Sequence, residues 1–387
     1  MDFDFTDEQE QFRAIVREFA ADVVRPRAEE MDRTAELPLD IVKQMAELGL
    51  FGIPFPEEYG GQGADLATFC IAVEELARVD SSIAITLEAA VGLGAGPIAR
   101  FGTPEQKERW LAPMCRGEIL GAFGLTEPGG GSDAGATRTT ARLEAGEWVI
   151  DGAKAFITNS GTEITGCVTV TAVTGEQDGG KEISTIIVPA GTTGLTVEPS
   201  YRKVGWHASD THGLSFSGCR VPEANLLGER GRGFPQLLAA LDDGRIAVAA
   251  LAVGLAQGCL DESVAYAKER SAFGHPIAGF QAIQFKLADM RVAVETARLA
   301  TYRAAWLRDR GRSFVAEAAL AKLYASEIAV TSAREAVQIH GGYGFMEDFP
   351  VARFYRDAKI LEIGEGTSEV MRTILARDLG LREASDG

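Results

Sequence analysis

The chain has 387 residues, 46% of them hydrophobic and 24% charged, with a formal net charge of −18. Its length exceeds what a single hydrophobic core usually supports, so two or three domains are expected. The acidic balance excludes a protein that grips nucleic acid through a broad basic face, whereas an anionic small ligand stays open to it, because a few arginines in a pocket outweigh the global sign.

Residues 1–120 read as an N-terminal α-helical domain. Thr6 followed by Gln9 is a capping box, and Phe12, Ile15, Val16, Phe19 and Val23 then mark one apolar stripe. Leu39 to Leu48 and Ala67 to Ala77 fit helices on either side of the Pro54–Gly63 loop, and Thr103-Pro104-Glu105-Gln106 writes another helix start. Residues 121–232 change texture. Short β-rich runs (Glu147–Ile150, Ala155–Thr158, Cys167–Val173, Ile183–Val188, Leu195–Val197, Leu214–Ser217) lie between Gly, Asn, Asp and Pro, the pattern of small antiparallel sheets in a central β barrel or sandwich. Residues 233–387 are helical again. No proline falls between Pro235 and Pro276 or between Pro276 and Pro350, so three long helices and a fourth after Gly366 predict a C-terminal four-helix bundle. The fold class is α+β, mainly α; the helix–sheet–helix order is not a βαβ series, which argues against a Rossmann domain.

The five cysteines (Cys70, Cys115, Cys167, Cys219, Cys259) are scattered and form no C-x-x-C pair, which suits reduced thiols rather than disulfides or zinc. The acidic start, Met1-Asp2-Phe3-Asp4-Phe5, lacks the regions of a signal peptide. The longest apolar run, Ile246 to Ala256, is about half a membrane span. A soluble cytoplasmic protein without membrane insertion is expected.

Four segments carry candidate chemistry. Leu125-Thr126-Glu127-Pro128-Gly129-Gly130-Gly131-Ser132-Asp133 offers bare backbone N–H groups to a flavin edge or a phosphate, or is a plain interdomain turn; it lacks the Gly-Lys-Ser/Thr ending of a P-loop. Ala155-Phe156-Ile157-Thr158-Asn159 is a strand that puts Phe156 and Thr158 on one face, either to cover an aromatic ring system or as an ordinary half-buried strand. Gln338-Ile339-His340-Gly341-Gly342-Tyr343-Gly344 ends a helix with more glycine than a stop needs, which points to backbone packed against a ligand or another chain. In Ile363-Gly364-Glu365-Gly366-Thr367-Ser368-Glu369 a carboxylate stands between two glycines at the start of a helix. It is either a helix-capping acid or an accessible base whose apolar approach raises its basicity. His207 and His212 around Asp210 have no helical spacing and no third ligand, so they read as loop residues and no metal is expected. No Gly-x-Ser-x-Gly elbow supports a hydrolase.

Together these segments resemble the acyl-CoA dehydrogenase family, of short-chain or short-branched-chain type, over nearly the whole chain. Residues 125–133 look like its first signature, Gln338–Gly344 running on to Arg353 and Asp357 like its second, and Glu365-Gly-Thr-Ser-Glu like its catalytic segment. The resemblance implies a homotetramer of three-domain subunits with FAD between the β domain and the bundle. Glu365 would remove the α-proton of a short straight or branched acyl-CoA while the β-hydrogen leaves as hydride to flavin N5, giving the trans-2-enoyl-CoA. The backbone N–H of Glu365 and a flavin hydroxyl would hold the thioester oxygen. Phe123, Leu125 and Thr126 would line the flavin, with Phe156, Ile157 and Thr158 flanking its ring. Arg270, Phe273, Gln281, Gln338, Gly341 and Gly342 would reach FAD bound to a neighbouring subunit, and Thr367 and Glu369 would also touch it. Ser132, Asp242, Arg245, Gly366 and Arg377 match positions near the acyl-CoA. Electron-transfer flavoprotein would reoxidise the flavin, as in fatty acid β-oxidation or branched-chain amino acid catabolism.

The departures narrow the choice. Isovaleryl-type members take their base from the position matching Gly244; here that residue is glycine and Glu365 is present. Glutaryl-type members carry an arginine within the stretch matching Ser81 to Ala99, which holds none. Many straight-chain members have a tyrosine where this chain has Gly364, so a wider pocket tolerant of branched groups such as isobutyryl or 2-methylbutyryl is expected. Ala272 and Phe156 replace Thr and Trp of some members. Glu88, in the apolar Ile83–Val91 stretch, is a rival base but reads better as a helix residue facing an interface or pocket rim; it and Glu362 are the next carboxyls to test. An oxygen-using acyl-CoA oxidase, or a dehydrogenase of carrier-protein-bound acyl groups, are the alternatives on the same fold.

Overall fold

The computed structural model describes residues 4–177 and 179–381. The Thr6–Gln9 capping box forms reciprocally, at 3.2 and 3.1 Å, and opens the helix Asp7–Phe19. Val16 and Phe19 are buried as expected, but Ile15 is 51% exposed, because it lies at the edge of the stripe. Helices Leu39–Glu47 and Leu66–Ala77 follow, and the Thr103–Gln106 box also forms.

The element that matters most here read in the sequence as the helix carrying Glu88, without bounds. Ser81–Phe101 is one continuous helix, capped by the Asp80 carboxylate, which accepts from Ser82 N and Ile83 N at 2.9 and 3.1 Å. Its middle, Ala89–Ala95, winds as a π-helix. Gly92 and Gly94 lie within this wider π turn, and Gly96 and Pro97 open the α-helical segment that follows it. Among the described residues this helix alone is long and apolar enough to cross a membrane. However, 78% of its most apolar window is buried inside the protein, as in a core helix.

The central strands are β1 (Leu120–Gly124), β2 (Thr140–Glu144), β3 (Glu147–Thr158), β4 (Thr165–Gln177), β5 (Gly180–Pro189), β6 (Leu195–Val197), β7 (Thr211–Pro222) and β8 (Leu226–Leu227). They form one eight-stranded sheet in the order β6-β7-β3-β2-β4-β5-β8, with β1 beside β4. This corrects the expected small antiparallel sheets: β1 runs parallel to β4 from Leu120↔Thr165 to Gly124↔Val170, and β2 meets β4 in parallel at Thr140↔Val173. Neither β1 nor β2 was foreseen, because one is glycine-rich and the other carries Arg142 and Glu144. Trp148, Ile150, Val170, Ile186 and Phe216 form the core of the sheet. A Cβ on either Gly94 or Gly121 would overlap the other's backbone, so β1 packs directly on the Ser81–Phe101 helix.

The C-terminal helices are Gly233–Glu269, Gln281–Asp309, Val315–His340 and Ser368–Asp378, with a short helix Pro350–Ala358 inserted before the last. Fully buried alanines such as Ala249, Ala252, Ala321 and Ala329 let the long helices approach closely. A polar clamp ties this region to the rest of the chain. Arg353 pairs with Asp80 at 3.2 Å and donates to Val79 O, while Asp357 accepts from Ser81 Oγ at 2.7 Å and from Trp206 N at 2.6 Å. The second signature segment thus fastens the start of the Ser81–Phe101 helix.

Candidate active site

Glu365 stands at a junction. The 3₁₀ turn Lys359–Glu362 ends ahead of it, and Thr367 begins the final helix by accepting from Val370 N through its side chain. The backbone of Glu365 is left-handed, φ 53°, beside Gly366 at 101°. A non-glycine residue held there costs of order 1–3 kcal/mol and marks a position that the surroundings over-determine. Lys322 Nζ donates to Gly366 O at 2.5 Å and so fixes the turn. Burial brings the Lys322 ammonium down to about 8, against the pull of Glu365.

Both carboxylate oxygens of Glu365 are shielded from solvent, and among the described residues no N–H or hydroxyl reaches them. The same holds for Glu88, the residue just before the π turn of the Ser81–Phe101 helix. The two side chains meet within hydrogen-bonding reach beside Gly244, where a Cβ would stand 3.4 Å from Glu365 Cδ and 3.5 Å from Glu88 Oε1. Burial raises the Glu365 carboxyl, partly offset by Glu88, Lys322 and Arg245; burial and the Glu365 charge push Glu88 far higher. Arg245 is buried and holds Asp242 at 2.5 Å, while its Nε has no partner; Ser368 Oγ is a second buried orphan. Gly92 and Gly244 also wall a cavity of about 450 Å³ lined by Phe55, Phe69, Val91 and Ala247.

Most of the expected site residues fall into three groups, with Ser132, Glu369 and Arg377 outside them. Glu365, Gly364, Gly366 and Arg245 gather at the carboxyl pair, with Asp242 held by Arg245 and Thr367 next in the chain. Phe123 lies on β1 and Leu125 and Thr126 just beyond it; Thr126 O accepts from Ala155 N at 2.9 Å, which joins them to Phe156, Ile157 and Thr158 on β3. Phe156 has φ 61° and is 66% exposed, its ring 5.1 Å from Tyr201. The ladder slips between Lys154 and Ile157, so simple alternation does not describe this end of the strand. The third group is remote: Arg270, Gly341 and Gly342 line a cleft of about 540 Å³ with Tyr266, Tyr343 and Met346. Phe273, 93% exposed at φ 52°, Gln281 and Gln338 lie on the surface. Ser132 and Glu369 are exposed. Arg377 is exposed near the end of the final helix, about 14 Å along its axis from Ser368.

Sequence reasoning missed three participants. Lys322 shares a helix face with Ala318, Ala325 and Ala329, and a lone lysine on an alanine face was the available signal. Lys154, buried and brought down to about 8 by burial, reaches Glu127 at 2.8 Å and Thr171 at 2.9 Å beneath the glycine loop. Glu127 also accepts from Arg138 N and Thr139 N, at 2.8 and 3.0 Å. Gly92 had no signal. The histidines are occupied locally, His207 by Asp32 and Lys203 O, His212 by Asp210 and Glu198 O; His212 lies in β7 rather than in a loop.

Family models of the acyl-CoA dehydrogenase N-terminal, middle and C-terminal domains match residues 6–118, 122–219 and 231–380. A probable acyl-CoA dehydrogenase of Bacillus subtilis is 52% identical over 380 residues, covering 98% of this chain and 100% of the relative. A short-chain specific acyl-CoA dehydrogenase of Clostridium acetobutylicum is 45% identical, covering 97% of this chain and 99% of the relative. The solved butyryl-CoA dehydrogenase of Megasphaera elsdenii superposes with a TM-score of 0.94 at 42% identity, over 98% of this chain and 100% of that one.

Proposed function

The chain belongs to the acyl-CoA dehydrogenase family, and on that premise we propose that it oxidises a short straight or branched acyl-CoA to its trans-2-enoyl-CoA with Glu365 as the α-proton base. The chain is an FAD-dependent oxidoreductase. Its residues fit that group: Phe156 offers an exposed ring, and nothing lies within 4 Å of a Cβ at Gly341 or Gly342, which share a cleft with Arg270. Phe123, Leu125, Thr126, Phe156, Ile157 and Thr158 would hold the flavin ring of one subunit. Arg270, Phe273, Gln281, Gln338, Gly341 and Gly342 would hold the diphosphate end of a neighbour's FAD, with Thr367 and Glu369 contributing at the final helix. Bound FAD supplies the acceptor for the hydride that leaves Cβ.

The carrying observation is the Glu365 carboxylate, buried, without a donor of its own, and fixed at φ 53°. Burial makes it a stronger base, and Lys322 and Arg245 pull the other way, toward the ionised form. Its backbone N–H would steady the thioester oxygen as charge builds there. Asp242, Arg245, Ser132, Gly366 and Arg377 would position the acyl-CoA. A Cβ at Gly364 would meet only Ile360 O, at 3.5 Å, and that open space supports branched acyl groups. Exposed Phe273 and Phe345, 93% and 82%, support burial in a homotetramer; electron-transfer flavoprotein would take the electrons.

The test is Glu365→Gln. It should keep bound flavin and lose turnover by about 10²–10⁴-fold; near-normal turnover would move the base to Glu88 or Glu362.

A further inference from the structure

Resting on the reading of Glu365 as the base, we propose that Glu88 and Glu365 hold one proton between them in the substrate-free site. Glu88 is the protonated member, a positioning residue that keeps Glu365 ionised by donating to it.

The geometry leaves little else. Glu88 enters from the Ser81–Phe101 helix at the residue where the π turn begins, and Glu365 enters from the opposite side at a strained turn. Two glycines clear the space they occupy: a Cβ on Gly92 would stand 2.7 Å from Glu88 Oε1, and one on Gly244 would crowd Glu365 Oε2. All four oxygens are closed to solvent and lack an N–H or hydroxyl partner among the described residues. Two ionised carboxylates so placed would repel without water to screen them, and two neutral acids would leave no base. One proton answers both: Glu88 O–H donates, Glu365 accepts.

The surrounding charges decide which carboxyl keeps it. Glu365 faces Lys322 from the Val315–His340 helix and Arg245 from the Gly233–Glu269 helix. Asp242 is bonded to Arg245 and lies near Arg100, and Glu362 and Glu369 act on Lys322. Among the described residues the charge acting on Glu88 is that of Glu365, not a cation. The positive groups therefore hold the negative charge on Glu365. During turnover the α C–H bond breaks, its proton forms an O–H bond on Glu365, and the β-hydride carries its electron pair to the flavin; the Glu88 proton is not transferred.

The experiment compares the pH dependence of kcat/KM for the flavin-loaded parent, Glu88→Gln and Glu88→Leu, with flavin content and melting temperature as controls. Glu88→Gln still donates, through its amide, and should keep the acid limb of the parent. Glu88→Leu removes a charge-assisted donor and should move that limb up by about one to two pH units. The infrared carbonyl band of a protonated carboxylic acid at neutral pH should be present in the parent and lost in Glu88→Gln, and so should stand out in the difference between the two. An unmoved limb in Glu88→Leu, or an acid band that survives in Glu88→Gln, overturns the shared proton. If the leucine variant does not fold, the glutamine variant and its infrared difference decide alone. An active Glu365→Gln would refute the base itself, whereas an inactive one with an unmoved limb refutes only the pairing.

Discussion

Replacing Gly244 with alanine should separate catalysis from stability. The added Cβ would press on Glu365 Oε2 with Cδ only 3.4 Å away, while Glu88 Oε1, at 3.5 Å, stays in ordinary contact. Carbon and oxygen settle near 3.5 Å, so the carboxylate has to retreat by about 1 Å. It is the far end of a flexible side chain, and the fold gives way cheaply. Inside the Gly233–Glu269 helix, alanine should even add up to about 1 kcal/mol of stability over glycine. A base displaced by about 1 Å loses on the order of 10²-fold in rate, about 2.7 kcal/mol of barrier. Dye-coupled turnover at saturating substrate, together with flavin content and a melting curve, measures both sides. A variant with the parent's kcat and intact flavin would refute the placement of Glu365 against position 244. Parallel loss of flavin and folding would show that the helix, not the base, was disturbed.

Gly364→Tyr should narrow the pocket: turnover of isobutyryl-CoA relative to butyryl-CoA should fall on the order of tenfold or more, read as a ratio of kcat/KM values. Gly341, at φ 61° and ψ −134°, occupies backbone that side chains avoid; Gly341→Ala should add about 1–3 kcal/mol of strain and weaken flavin retention about tenfold or more, seen as absorbance left after desalting. Burial raises the Asp357 carboxyl from 3.8 to about 6, with Asp80 adding to it. Its folded form therefore holds a proton more tightly than its unfolded form, so this contribution is full below 3.8 and is lost as pH rises through 6. At most about 3 kcal/mol is at stake. Melting temperature should fall between pH 4 and pH 7 in the parent, and Asp357→Asn should flatten that slope.

The helical ends of the chain were legible because their signals are local. Both capping boxes sit where hydroxyl and glutamine stand three apart, and the proline-free stretches carry the long helices. The Ser81–Phe101 helix was legible only in part: Glu88 read as a helix residue, but the bounds and the π turn depend on packing against β1 and the C-terminal helices. The bulge at Phe156 likewise depends on partner strands rather than on its own residues. At the site, Glu365 could be singled out by its flanking glycines. Its pairing with Glu88 could not, since 277 residues of chain separate the two and only the folded helices bring them together.

The clamp of Arg353, Asp357, Asp80 and Ser81 touches neither Glu365 nor the glycines around it. Joinery and chemistry therefore reside on separate residues. Gly244 and Gly364 have none of the clamp residues among their neighbours, so a change at either should leave the fastening of the helix intact. That independence makes the scaffold forgiving of catalytic experiment. It also means that the segment running to Arg353 and Asp357, one of those by which such a chain is recognised, reports how it is assembled.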